Sequence, residues 1–187
     1  MATLICGYIL TVLLAIGVPR ARKDEPGVRQ IDIARTRRTS AVLGVTHLLA
    51  LLIPLGAALK HWRPQLGAAG GWLAVGVMAA ALLFQRWAQR SLGPSFTTSL
   101  QSSKEQPILR TGPYRWVRHP AYLAQTIFWT ALGFSSRSLI AGLAVGLISL
   151  SGYVYRLLEE EKMLLETHGD VYSVYASSTK RLIPLLW

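Results

Sequence analysis

Residues 119–155 read HPAYLAQTIFWTALGFSSRSLIAGLAVGLISLSGYVY, and Arg137 is the one residue of the Asp, Glu, Lys and Arg set among them. A helix needs about 20 mostly apolar residues to cross the hydrocarbon layer of a bilayer, within a range of about 17–25. The runs 119–136 and 138–155 meet the lower end of that range and are split only by Arg137, which predicts a tight hairpin of two membrane helices. Working outward, runs 1–19, 39–59 and 64–85 also lack Asp, Glu, Lys and Arg. The expected fold class is therefore all-α: a polytopic membrane protein with about five transmembrane helices.

Composition agrees. Of 187 residues, 51% are hydrophobic and 16% charged, and the mean hydropathy is +0.34. A soluble domain of this length needs more polar surface, and the length allows one compact unit. The first run has no basic segment before it and no small-x-small cleavage site ahead of Arg20, so it reads as a retained anchor rather than a signal peptide.

The net charge of +11 would suggest nucleic acid in a soluble protein, but its placement argues against that partner. Arg20, Arg22, Lys23, Arg29, Arg35, Arg37 and Arg38 lie between the first two spans, and Arg86, Arg90, Lys104, Arg110, Arg115 and Arg118 between the third and fourth. Arg156, Lys162, Lys180 and Arg181 follow the fifth. The alternate loops carry only Lys60, Arg63 and Arg137. By the positive-inside rule the N-terminus faces out, and both long loops and the C-terminal tail face the cytoplasm. The one cysteine, Cys6, excludes a disulfide framework or a CxxC redox pair. His47, His61, His119 and His168 have no metal-ligand spacing, so no metal is expected.

The chain divides in character near residue 85. Residues 1–85 are three plain spans, with Gly67, Gly70, Gly71 and Gly76 at the start of the third, where small residues let helices approach closely. Residues 86–187 are the expected catalytic half. Ser91, Gly93, Pro94 and Ser95 should break the third helix, Thr97 to Gln106 is polar loop, and Thr111-Gly112-Pro113 is a turn signal. Pro120 suits the first turn of a helix. The fifth span should run on through Glu166 and stop at His168-Gly169, with Gly169 in the position that favours glycine. Asp170 then caps a short helix over 171–178.

Polar residues gather at one membrane boundary. Gly112-Pro113-Tyr114-Arg115 and Arg118-His119-Pro120, with Tyr122 beyond, precede the fourth span; Arg156 and Glu159-Glu160-Glu161 follow the fifth; Lys180-Arg181 precede Pro184. A hairpin puts its two cytoplasmic ends side by side, so His119 and Tyr122 should face Arg156 and Glu160. Each piece has an ordinary alternative. Arg115 and Arg118 serve equally as positive-inside anchors, and Tyr114, Trp116 and Tyr122 as interfacial aromatics. His119 can be a satisfied residue at a helix start, and the glutamates a solvated face paired with Arg156 and Lys162. Ionisable residues held together at a membrane boundary are the functional reading.

GPYRWVRHPAYLAQ at 112–125, followed by EEEKMLLETHGDVYSVYASSTKRLIP at 159–184, resembles the signature of the isoprenylcysteine carboxyl methyltransferase family. The related phospholipid methyltransferases share the Arg-His-Pro and Glu-Glu elements. The resemblance covers about residues 90–187; the first two spans match only in being spans. It implies an integral membrane S-adenosylmethionine-dependent methyltransferase acting on a lipophilic or amphiphilic acceptor. It further implies a cofactor pocket on the cytosolic side, closed by the tail, with the acceptor entering sideways from the bilayer. The resemblance places Gly112, Tyr114, Arg118, His119, Pro120, Tyr122, Leu123 and Glu161 around the cofactor S-adenosyl-L-methionine, and Glu160 and Arg181 as catalytic residues nearer the acceptor.

The chemistry suits these residue types. Methyl transfer from a sulfonium is an in-line displacement, governed by positioning and desolvation. A cationic side chain can meet the cofactor carboxylate through a charge-assisted bond, a glutamate can accept from ribose hydroxyls or the ammonium, and Leu123 can pack on adenine. A carboxylate acceptor is already ionised at neutral pH, and Arg181 would orient it; a thiol or amine would need Glu160 as base. Two other classes compete: a membrane reductase using NADPH, of the sterol-reductase type, and a non-catalytic membrane protein that tolerates loss of His119.

Overall fold

The computed structural model describes residues 1–16, 33–93, 108–184 and 187. The expected polar loop from Thr97 to Gln106, and Arg20, Arg22, Lys23, Arg29 and Lys104, lie outside the described residues. Among those described, the chain forms α1 (Ala2–Ile16), α2 (Ile33–Leu59), α3 (Ala68–Leu92), α4 (Pro120–Ser135), α5 (Leu139–His168) and α6 (Asp170–Ser178), with a short 3-10 turn over Gly112–Arg115. The described residues contain no strand, and the all-helical membrane architecture stands.

Three helices, α2, α3 and α5, are long and apolar enough to cross a membrane, while α1 is a shorter apolar helix. At about 1.5 Å per residue, the 16 residues of α4 reach roughly 24 Å and the 30 of α5 roughly 45 Å. The hydrocarbon layer is about 30 Å thick, so α5 projects its last turns well beyond it. Large apolar side chains such as Leu52, Leu73, Leu83 and Leu147 are exposed on the helix faces. In water that surface would be unfavourable; in lipid it is the solvated face, and the chain is an integral membrane protein.

Helix α4 is the centre of the bundle, packing on α3, α5, α2 and α1. Its inward residues Phe128 and Leu132 are fully buried with Met78 of α3 and Val145 of α5. The α4–α5 hairpin is as tight as the single-residue spacer implied. A Cβ on Gly133 would lie 2.8 Å from the Ala141 carbonyl oxygen and 2.9 Å from Gly142 Cα, so only glycine lets the two backbones meet there. The turn is locked to the α2–α3 connection: Leu66 N–H donates to the Arg137 carbonyl at 2.7 Å and Leu139 N–H to Pro64 at 3.1 Å, beside a bridge between Gln65 and Ser138. These two sparsely charged connections therefore share one end of the bundle.

At the other end, α3 stops at Leu92 with Gly93 at φ +56°, and α5 stops at His168 with Gly169 at φ +53°, as expected. One local expectation needs correcting. Asp170 is the first residue of α6 rather than its cap; Gly169 holds the cap position and makes no side-chain bond. The chain reaches α6 directly from the Gly169 stop, which leaves no intervening residue for an aspartate cap.

Candidate active site

The site is built where the α4 N-terminus, the projecting end of α5 and the C-terminal tail converge. The tail runs alongside residues 117–119: Arg118 N–H donates to the Lys180 carbonyl at 2.8 Å and His119 N–H to Arg181 at 3.1 Å, and Val117 and Lys180 form a parallel bridge. Arg118 and His119 precede the first turn of α4, so their amides have no acceptor within the helix and are free to bind the tail.

Glu161 is the hub. Arg118 Nε donates to its Oε1 at 2.7 Å and Arg181 Nε to its Oε2 at 2.8 Å. Arg118 is pinned further by bonds to the carbonyls of Ala176 and Thr179. Burial by itself would raise the Glu161 carboxyl, but His119, Arg118 and Arg181 outweigh it and hold it down to about 2. His119 is buried, and its Nε2 approaches Glu161 Oε1 to 3.4 Å without the alignment of a hydrogen bond. That nitrogen makes no hydrogen bond among the described residues.

Glu160 serves a different neighbourhood. Tyr122 donates its hydroxyl proton to Glu160 Oε2 at 2.6 Å, and Arg156 Nε donates to the Tyr122 oxygen at 3.1 Å. Arg156 is buried and also bonds Thr39 Oγ1 and Ser40 Oγ of α2, at 3.3 and 3.4 Å. His119 Nδ1 lies 3.9 Å from Glu160, and the His119 and Tyr122 rings stack with centroids 5.5 Å apart. The expected meeting of His119 and Tyr122 with Arg156 and Glu160 is thus present. Glu159 takes the ordinary reading: it pairs with Lys162 at 2.7 Å and with Arg35 at 3.3 Å. Three consecutive glutamates, each turned by about 100° from the last, serve three different purposes.

Pro120 is buried and Leu123 half-buried in the first turn of α4. Gly112 takes φ +59° against Ser91, and Tyr114 is buried, its carbonyl accepting from Tyr175 at 2.8 Å. Tyr114 therefore flanks the cluster through α6 and Gly112 abuts α3, and neither joins its ion pairs.

Sequence reasoning assigned no role to Tyr172. Its side chain is buried on α6, and its hydroxyl has no hydrogen-bond partner among the described residues. Burial, then the nearby Glu161 carboxylate, push the hydroxyl well above its ordinary value, so it remains a protonated donor. The signal was the spacing Tyr172-x-x-Tyr175, which puts both rings on one helix face. Thr39 and Ser40 had no signal, because which residues of α2 meet α5 depends on packing alone.

A family model described as the isoprenylcysteine carboxyl methyltransferase (ICMT) family matches residues 72–166. The chain belongs to the isoprenylcysteine carboxyl methyltransferase family. It is 29% identical over 109 residues to a Saccharomyces cerevisiae protein named protein-S-isoprenylcysteine O-methyltransferase, covering 53% of this chain and 42% of that one. It also superposes on the solved eukaryotic intramembrane Ras methyltransferase ICMT with a TM-score of 0.60 and 19% identity, covering 84% of this chain and 55% of the other. At that identity the likeness speaks to the fold. The chain spans about half the length of both proteins. The matched segment contains most of α3, the 3-10 turn, α4 and the part of α5 that carries Arg156, Glu160 and Glu161.

Proposed function

We propose that the protein is a multi-pass membrane methyltransferase that uses S-adenosyl-L-methionine to methylate a lipophilic or amphiphilic acceptor, its site facing the cytoplasm. Family membership supports the reaction class. The observation that carries the reading beyond it is the combination of a saturated ion-pair hub with unpartnered polar atoms beside it. Buried polar groups are nearly always bonded in native proteins. His119 Nε2 and Tyr172 Oη are both buried without a hydrogen-bond partner among the described residues, one from the start of α4 and one from α6, and both lie in the field of Glu161. Such groups fit a polar ligand.

In this reading five spans cross the bilayer with the N-terminus outside, and residues 86–187 form the catalytic half. The skew of basic residues supports that orientation, as does the pairing of residues 64–66 with 137–139 at one end of the bundle. His119, Tyr122 and Tyr114 hold the cofactor with Gly112, Pro120 and Leu123. Glu161 fixes Arg118 and Arg181, leaving the remaining guanidinium nitrogens of Arg181 to meet an anionic acceptor. Glu160, held on one oxygen by Tyr122, keeps its other oxygen for the ligand. S-adenosylmethionine supplies, when bound, a sulfonium-held methyl group open to in-line displacement. The protein's contribution is orientation and exclusion of water. If the acceptor is a lipidated carboxylate, as the name of the yeast relative suggests, no general base is required.

Calorimetric titration of the detergent-purified protein with S-adenosylmethionine and, separately, NADPH tests this. The parent should bind S-adenosylmethionine, and His119→Ala should bind about tenfold or more weakly, as expected for loss of a charge-assisted contact. Binding of NADPH alone, or equal affinity in parent and variant, would overturn the assignment.

A further inference from the structure

The rim of the bundle beside the site carries two arginines that the ion-pair cluster does not use. The glutamates are spent on Arg35, Arg118, Lys162, Arg181 and Tyr122, and Arg86 on Gln89 and the Leu13 carbonyl. Arg90, in the last turn of α3, and Arg115, at the end of the 3-10 turn, are exposed. No ion pair reaches either guanidinium among the described residues. What holds Arg115 is a ring: its guanidinium carbon lies 5.2 Å from the Trp116 centroid, within cation–π range. Trp116 in turn meets Trp87 of α3 edge to face at 5.8 Å. Arg90 follows Trp87 by three positions, so the two are neighbours on the helix surface. Both indoles are exposed.

The α3 surface leading to this corner is apolar. Gly76, Ala80, Leu83, Trp87 and Arg90 are all exposed, at alternating spacings of four and three that define one stripe of the helix. A Cβ on Gly76 would meet nothing within 4 Å, so the stripe is open where it begins. Ala80 precedes Arg90 by ten positions, roughly 15 Å along the helix and half of a hydrocarbon layer about 30 Å thick. One leaflet's depth of apolar surface therefore ends on two indoles, a ring that favours the headgroup level, and then on two cations.

We propose that Trp87, Arg90, Arg115 and Trp116 hold the headgroup of an anionic phospholipid, whose acyl chain lies along Ala80 and Leu83. A phospholipid has the same order of parts, and guanidinium and phosphate form strong charge-assisted bonds. Phosphatidylcholine brings an ammonium of its own that offsets its phosphate; phosphatidylglycerol does not, and the corner supplies no carboxylate among the described residues to receive an ammonium. Occupancy bridges α3 and the 3-10 turn and so stabilises the folded protein. The site stands apart from the methyl-transfer reading, since it requires only that the chain lies in a membrane.

Thermal unfolding of the detergent-purified protein tests it, with added phosphatidylglycerol, phosphatidylcholine of the same acyl chains, or inorganic phosphate. Phosphatidylglycerol should raise the parent's midpoint by about 3 °C, and the other two should not. The double variant Arg90→Gln with Arg115→Gln should lose most of that shift. Arg37→Gln with Arg38→Gln, which removes the same charge from exposed positions of α2, should keep it. Equal shifts from the two lipids in the parent overturn the proposal whatever the variants do, and so does an equal shift from phosphate alone. It also fails if the Arg90 and Arg115 pair can be replaced without loss, or if the two double variants lose the shift equally, which is the mark of diffuse attraction to the whole basic face.

Discussion

The two ends of the helical bundle are held by different means. At the end that joins α2 to α3 and α4 to α5, backbone meets backbone: residues 64–66 pair with 137–139, and Gly133 permits direct contact between α4 and α5. Even Arg137 is spent on structure, donating to the Leu66 carbonyl at 3.1 Å. At the opposite end, side chains do the joining. Glu161 draws in Arg118 and Arg181, and Arg156 links α5 to Tyr122 of α4 and to Thr39 and Ser40 of α2. The first arrangement is self-sufficient. The second leaves His119 Nε2 and Tyr172 Oη without hydrogen-bond partners among the described residues, and a site that can bind something must retain polar capacity of that sort.

The largest effect should come from removing the hub. Glu161→Ala would leave Arg118 and Arg181 without their shared carboxylate, and breaking a buried pair in this way costs about 3–5 kcal/mol. Arg181 is more exposed than Arg118, with side-chain exposures of 37% and 8%, so the loss should fall near the lower figure, roughly 3 kcal/mol. Thermal unfolding in detergent reads it, and S-adenosylmethionine binding should vanish with it. If the variant unfolds like the parent, the end rich in ion pairs is not held by Glu161.

A smaller cost, of about 1–3 kcal/mol, is expected for Gly133→Ala, the range for forcing an extra carbon into a packed site. The contrast lies in the binding data. Since Gly133 is remote from the α4 N-terminus, the folded fraction of this variant should bind S-adenosylmethionine as the parent does. Weakened binding by the folded protein would mean that the hairpin turn also sets the site's geometry.

Much of this contrast was legible in sequence. The absence of charges over 119–155, broken only at Arg137, specified the hairpin, and a hairpin brings its own ends together. That alone put His119 and Tyr122 opposite Arg156 and Glu160. The stops at Gly93 and Gly169 were readable because a left-handed backbone position favours glycine. The division of labour among Glu159, Glu160 and Glu161 was not readable. Helical spacing gives the angle between successive side chains but not the direction in which the set points, and only the placement of Arg118, Tyr122 and Arg35 fixes that. The unpaired hydroxyl of Tyr172 was unreadable for the same reason: the Tyr172-x-x-Tyr175 spacing gives a shared helix face, but only three-dimensional packing leaves the atom without a hydrogen-bond partner among the described residues. The start of α6 was misassigned because an aspartate after glycine suits either a cap or a first turn.

The least disruptive way to probe the hub is by acid. The Glu161 carboxyl is held down to about 2 in the folded protein, against an ordinary value of about 4.3 for glutamate. Between those values the unfolded chain binds a proton that the folded chain does not, so stability rises with pH across the window. The contribution of Glu161 is therefore complete above about pH 5 and is lost as pH falls toward 2. With Arg181 partly exposed, that contribution should amount to roughly 1–2 kcal/mol. Unfolding midpoints measured from pH 6 down to pH 3 should fall in the parent more steeply than in Glu161→Gln, which cannot ionise but keeps most of the shape. The difference between the two curves isolates this group from other carboxylates that titrate nearby. Parallel curves would mean that the arginines are held chiefly by the backbone carbonyls of Ala176 and Thr179, and the contrast between the two ends of the bundle would narrow to that extent.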